Sequence, residues 1–161
     1  MRRQKSALFG LGTGIYFFAK REEAEIWAES EVGKEKNRGK EPCVLQADIY
    51  CKNTEFFDLD IKENMIQLEK TVRPYLLNGK NGHAVIEGKN ADIKLRCLAC
   101  NFYKKLKGIK IFAYTFPRIR NNRIGFPFCL QQRQYAVSDN QNIREIKAIS
   151  MGGNRNERQR P

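Results

Sequence analysis

The stretch GLGTGIYFFAKREEAEIWA (residues 10–28) places Gly10, Gly12 and Gly14 at alternate positions. It then runs through Ile15, Tyr16, Phe17 and Phe18 and passes at once into a helical pattern. Glycines let a backbone turn sharply and approach another surface closely, because no Cβ intrudes. Residues 15–18 read as a short buried strand. Ala24, Trp27 and Ala28 fall at i, i+3 and i+4 and predict a helix over residues 21–32. The glycines then serve one of two ends. They form a turn that only feeds the strand, with Tyr16 in the core as strand aromatics usually are. Or they leave bare backbone for a planar ring, with Tyr16 offering a flat face and a hydroxyl at its rim.

Outward from this stretch the chain mixes strands and helices. GKEKNRGKEP (33–42) is charged and reads as a solvated loop. Residues 43–51 alternate, with Val44, Gln46, Asp48 and Tyr50 on one side, and predict a strand. Residues 61–78 predict a helix through Met65, Leu68, Val72 and Leu76, stopping near NGKNG. Residues 91–107 predict another, carrying Leu95, Leu98, Phe102 and Leu106, with Asn90 or Asp92 as N-cap and Gly108 as its end. IKIFAYTF (109–116) alternates as a strand, PRIRNNRIGFPF reads as a loop or hairpin, and LQQRQYAV and IREIKAI (143–149) read as two more strands. Strands and helices do not strictly alternate and no internal repeat occurs, which predicts an α+β class. Residues 1–150 form one expected domain, and the polar, basic residues 151–161 an expected disordered tail.

The whole chain has 161 residues and a formal net charge of +12, which permits binding to polyanions without establishing it. No apolar run approaches the roughly 18–20 residues of a membrane span, and the N-terminus lacks the apolar segment of a secretory signal. Five cysteines (Cys43, Cys51, Cys97, Cys100 and Cys129) then read as free thiols in a reducing cytoplasm. Cys97 and Cys100 have half the spacing of a zinc site, but they lie in a helical pattern beside Leu95, Leu98 and Phe102. Buried thiols and no metal are the expectation. His83, the one histidine, sits in a Gly/Asn turn.

Leu11–Ala28 resembles the LG-x-G-(I/V)-YFF…A-x-x-WA string of ADP-ribosyltransferases of the diphtheria-toxin and poly(ADP-ribose) polymerase class, bacterial toxin-like members among them. EPCVLQADIYCKNTEFFDLD resembles that family's next strand and turn, and RQYAVSDNQNIREIKAI its late strand and closing edge strand. The resemblance implies two split antiparallel sheets with flanking helices, clasping NAD in a cleft, and transfer of ADP-ribose to a macromolecular acceptor. It implies that Gly12, Thr13 and Gly14 lie against the nicotinamide end, that Tyr16 stacks on the nicotinamide, and that Gln134 stands where many members carry a catalytic glutamate. Breaking the nicotinamide–ribose bond develops an oxocarbenium-like cation, which a carboxylate in a dry cleft stabilises. Gln134 can hydrogen-bond the ribose but carries no charge; Glu145 and Asp139 are the acids near it in sequence. The family also opens with a strand bearing His or Arg well ahead of the glycines, which this chain lacks. A chain truncated at its N-terminus, or one that has lost cofactor binding, is the matching expectation.

A second class of function rests on the run from Lys104 to Arg133, which holds no acidic residue. Lys104, Lys105, Lys107, Lys110, Arg118, Arg120 and Arg123 could neutralise phosphates while Phe112, Tyr114 and Phe116 stack on bases, as in a small nucleic-acid-binding protein. The three aromatics share one face of an alternating strand, which is also what a core demands.

Overall fold

Apolar alternation in three strands creates one buried sheet face, and the helices fold over it. The computed structural model describes residues 10–77, 90–121 and 127–151. In chain order the elements are β1 (Ile15–Phe18), α1 (Arg21–Val32), β2 (Val44–Ile49), β3 (Phe56–Asp58), α2 (Lys62–Leu77), α3 (Ala91–Lys107), β4 (Ile111–Asn121), β5 (Pro127–Val137) and β6 (Ile143–Ile149). β1, β5, β4 and β3 form a four-stranded sheet in that order, and β2 and β6 a separate antiparallel pair. The class is α+β, with two sheets and three helices among the described residues.

Cross-strand register assigns the faces of the larger sheet. Tyr16 lies opposite Ala136, Ala136 opposite Phe112, and Phe112 beside Phe57, so these four share one face. That face packs against Val72 of α2 and Ala99, Cys100 and Tyr103 of α3, with Leu11 from the glycine loop. The rings of Phe57 and Tyr103 stand 4.7 Å apart, and Phe57 and Phe112 meet edge to face at 5.6 Å. Burying a side chain such as Phe112 contributes about 1.5–3 kcal/mol, and ring geometry adds about 0.5–1.5 kcal/mol per pair.

The helix ends follow from single residues. Asn90 takes a left-handed conformation (φ 67°) just before α3. Gly108 ends α3 at φ 71°, a region a Cβ disfavours, and its N–H donates to the Lys104 carbonyl at 2.9 Å. α1 places Trp27 over Phe18, ring centroids 6.2 Å apart, and buries Ala28. It lies between β1 and β2 and so joins the two sheets. Pro74 inside α2 lacks the N–H that would bond one turn back.

The predicted elements need several corrections. The sheets are not both antiparallel: β3 runs parallel to β4, a three-residue strand that sequence alternation could not reveal. The strand over 43–51 is shorter, Val44–Ile49, and its register shifts between Gln46 and Asp48. β4 begins at Ile111, two residues later than read, and continues through Pro117 to Asn121, where a loop or hairpin was expected. Pro117 is tolerated because its partner is the ladder to β5 on one side only; register, not propensity, holds this end extended. Residues 78–89, with NGKNG and His83, residues 122–126, with Arg123, and the tail from 152 lie outside the described residues.

Candidate functional site

The glycine loop is clasped by the protein's own groups. The Tyr16 hydroxyl accepts from the Leu11 N–H at 2.9 Å and donates to the Gly12 carbonyl at 2.7 Å. Asn101 Oδ1 on α3 accepts from the Thr13 N–H at 2.7 Å and from the Thr13 hydroxyl at 3.1 Å. Lys104 Nζ donates to the Thr13 carbonyl at 2.7 Å. Gly12 has φ 84°, and a Cβ there would overlap Asn101 Oδ1; a Cβ on Gly14 would come within 2.7 Å of the Val137 carbonyl oxygen. The glycines thus allow a close approach, as read from the sequence, and what approaches is α3 and β5. The Tyr16 ring packs against the core, and burial pushes its hydroxyl pKa up. Tyr16 is half-buried there and is also among the residues lining the cleft between the sheets.

A cleft of about 1040 Å³ opens between the two sheets. One wall runs from Ile15 through Arg21 and continues along α1 with Ala24, Trp27 and Ala28. The other is β2 with its flanks, residues 43–50; Tyr135 and Ile149 complete it. Phe17 pairs with Tyr135 across β1 and β5, on the sheet face opposite Tyr16. Gly12, Thr13 and Gly14 are not part of this lining. Asp48 is the one carboxylate among the lining residues, half-buried, with the Tyr50 hydroxyl 3.5 Å from its Oδ2. Sequence reading placed Asp48 and Tyr50 on one side of a strand without singling out the acid.

Gln134 lies opposite both Phe18 and Tyr114, on the same sheet face as Tyr16 and two residues from Tyr16's partner Ala136. The structure therefore brings Tyr16 and Gln134 to one face, away from Phe17 and Tyr135. The Gln134 amide donates to Gln132 Oε1 at 3.2 Å. Of the acids near it in sequence, Asp139 pairs with Lys110 at 2.9 Å, and Glu145 is exposed beside Lys147; neither lines the cleft. Among the described residues, no three His, Cys, Asp or Glu side chains gather as a metal site. Cys100 is buried, which pushes its thiol pKa up to about 12, and Cys97 is half-buried.

Part of the basic run is buried or paired rather than free for a polyanion. Phe112 is fully buried, and Tyr114 and Phe116 pack against the core beside the Arg96 guanidinium. Lys104 is 8 % exposed and turned to the glycine loop, with Phe112 beneath it. Lys110 is paired with Asp139, and Arg133 with Asp58 and Asp60. Lys105 and Lys107 remain exposed. Arg118 and Arg120 fall on the far half of β4.

Burial lowers the Lys104 pKa to about 8, against the opposing influence of the Cys100 and Cys97 thiols. The unfolded chain then keeps that proton up to about pH 10.4 while the folded chain releases it near 8. Between those values the unfolded state binds more protons, so this residue's contribution to stability rises with pH. Cys100 and Tyr16, whose pKa values are raised, act in the opposite sense at alkaline pH. The difference between Lys104→Met and wild type isolates the lysine. In urea titrations any advantage of Lys104→Met is expected to shrink from pH 8 to pH 10; a constant difference would show that Lys104 is hydrated.

No helix among the described residues is long and apolar enough to cross a membrane. Compared with known proteins, the chain matches no family model, no curated protein and no solved structure.

Proposed function

We propose that this chain is an NAD-binding protein of ADP-ribosyltransferase type, that the cleft between the sheets is its cofactor site, and that it transfers ADP-ribose to a macromolecular acceptor. The observation that carries this reading is that the segment bearing the resemblance supplies one wall of that cleft, from Ile15 to Ala28. About 1040 Å³ is just above the roughly 300–1,000 Å³ of ordinary small-molecule sites, which leaves room for a ligand as large as a dinucleotide. Lys20 borders the cleft and offers positive charge to a pyrophosphate, whereas Arg21 beside it is paired with Glu25 at 2.7 Å and donates to the Ser150 carbonyl. Phe17, Trp27, Tyr50 and Tyr135 offer apolar faces to flat rings.

In this reading Asp48 does what Gln134 cannot. Its negative charge stabilises the cation that grows on the ribose as nicotinamide leaves, and the apolar walls around it strengthen that interaction. Gln134 lies on the other face of the sheet, outside the cleft lining, and takes no part in this step.

Thermal unfolding of the wild-type chain with NAD, nicotinamide, and RNA or DNA tests the proposal. NAD well above its Kd is expected to raise the midpoint by several degrees in a saturable way. No shift with NAD, together with a salt-sensitive shift with nucleic acid, would replace this function with polyanion binding.

A further inference from the structure

We infer that Tyr135, flanked by Phe17, is the platform on which the flat ring of a nucleotide rests, the role the family resemblance implies for Tyr16. This rests on the cleft being a nucleotide site, as proposed above. Tyr135 sits on β5 with Phe17 opposite it on β1 and the small Ala113 opposite it on β4. Alternation along β5 puts it on the face away from α3, and both Tyr135 and Phe17 line the cleft. Tyr16, one residue from Phe17, faces the other way and spends its hydroxyl on the glycine loop.

The Tyr135 side chain is tied at its hydroxyl. Its hydroxyl accepts from Arg133 Nε at 3.2 Å, and the guanidinium carbon lies 5.5 Å from the ring centroid. Arg133 is fixed in turn: Nη2 donates to Asp58 Oδ2 at 2.7 Å, and Nη1 donates to Asp60 Oδ2. Asp60 accepts from the Thr115 N–H at 2.8 Å and from the Thr115 hydroxyl at 2.6 Å. Although partial burial works against it, these bonds and the Arg133 charge hold the Asp60 carboxyl below its usual pKa. Asp60 therefore stays ionised through neutral pH. The strap ties β3, the loop before α2, β4 and β5 to one tyrosine, which is more anchoring than two surface ion pairs need. An aromatic side chain fixed in advance loses little conformational freedom on binding, so stacking appears nearly undiminished as affinity. Stacking also tolerates any flat heteroaromatic, nicotinamide or adenine alike.

Trp27 is the one tryptophan of the chain and stands in the same cleft, so its fluorescence reports occupancy without a label. The test titrates nicotinamide, AMP and NAD into wild type, Tyr135→Leu, Tyr135→Phe and Tyr16→Phe. A saturable change is expected in wild type, and comparing nicotinamide with AMP tells which ring lies on Tyr135. Tyr135→Leu is expected to weaken binding about tenfold or more. Tyr135→Phe keeps the ring and is expected to stay within about threefold, and Tyr16→Phe, which also keeps its ring, is expected to weaken binding far less than Tyr135→Leu. An unchanged Kd in Tyr135→Leu overturns the platform while leaving NAD binding standing. No saturable change with any of the three ligands in wild type overturns the NAD reading and the platform together. If circular dichroism shows Tyr135→Leu unfolded, Phe17→Leu tests the same platform from the neighbouring strand, and an unchanged Kd there overturns it equally.

Discussion

Gly12→Ala is expected to destabilise the fold by about 3 kcal/mol, lowering the thermal midpoint by roughly 6–12 °C. Three costs combine. A side chain at φ 84° is strained, worth about 1 kcal/mol. The new Cβ overlaps Asn101 Oδ1 and comes within 3.2 Å of the Cys97 carbonyl, so the loop must move off α3. Moving it breaks the two bonds from Thr13 to Asn101, at about 1 kcal/mol each. Gly39 provides the control. It has a similar φ of 80°, yet a Cβ there meets nothing within 4 Å. Gly39→Ala should therefore cost only the conformational part, about 1 kcal/mol. Equal losses at the two positions would mean that the loop is not clasped to α3. Combining Gly12→Ala with Asn101→Ala should recover part of the loss, because the same oxygen is both the obstacle and the acceptor.

That comparison also shows what kind of information the sequence held. Local patterns were strong enough to place β1, α1, α3 and β6 at their observed bounds, because each is framed by a period and a stop signal: the apolar run before Lys20, the spacing of Ala24 and Ala28, Gly108, the alternation of Ile143–Ile149. The glycines signalled a close approach. They could not say whether a ligand or the chain itself would be the neighbour, since both need the same missing Cβ. What escaped was non-local. β3 is too short to show a period and exists because β4, some 55 residues later, offers it a parallel edge. The extension of β4 past Phe116 runs against the Pro117–Arg118 composition and depends on register with β5.

The site was half legible for a related reason. Alternation says that Tyr16 and Phe17 point to opposite faces, but it does not say which face α3 covers; only packing decides that. Charge misled in the same way. Lys104 counts as one of a basic cluster, yet it follows Cys97 and Cys100 at helical spacing and falls on the buried face of α3. Periodicity, had it been preferred to composition at that position, points inward. Asp48 gave no such signal: an acid on one side of a strand is ordinary, and it becomes distinctive only when the opposite wall of the cleft is seen to carry no carboxylate.

Asp48→Asn is expected to slow cleavage of the nicotinamide–ribose bond about 100-fold, with the Kd for NAD almost unchanged. Positive charge is absent from the ground-state ribose and appears only as the bond breaks, so the carboxylate acts on the rate far more than on binding. Removing one such preorganised group typically costs about 10²–10³ in rate, and the openness of this cleft favours the lower figure. Folding should not confuse the result. Asp48 makes one long contact, 3.5 Å to the Tyr50 hydroxyl, and its removal should alter stability by no more than about 0.5 kcal/mol. The informative partner is Gln134→Ala, measured beside it for nicotinamide release from NAD. Gln134 faces α3 and bonds Gln132, so it should leave the rate near that of wild type. The opposite pair of results, a slow Gln134→Ala and an unaffected Asp48→Asn, would move the chemistry to the α3-facing side of the sheet. Tyr16 would then have to swing out of the core to meet the ligand, and the cleft between the sheets would lose its claim to the cofactor.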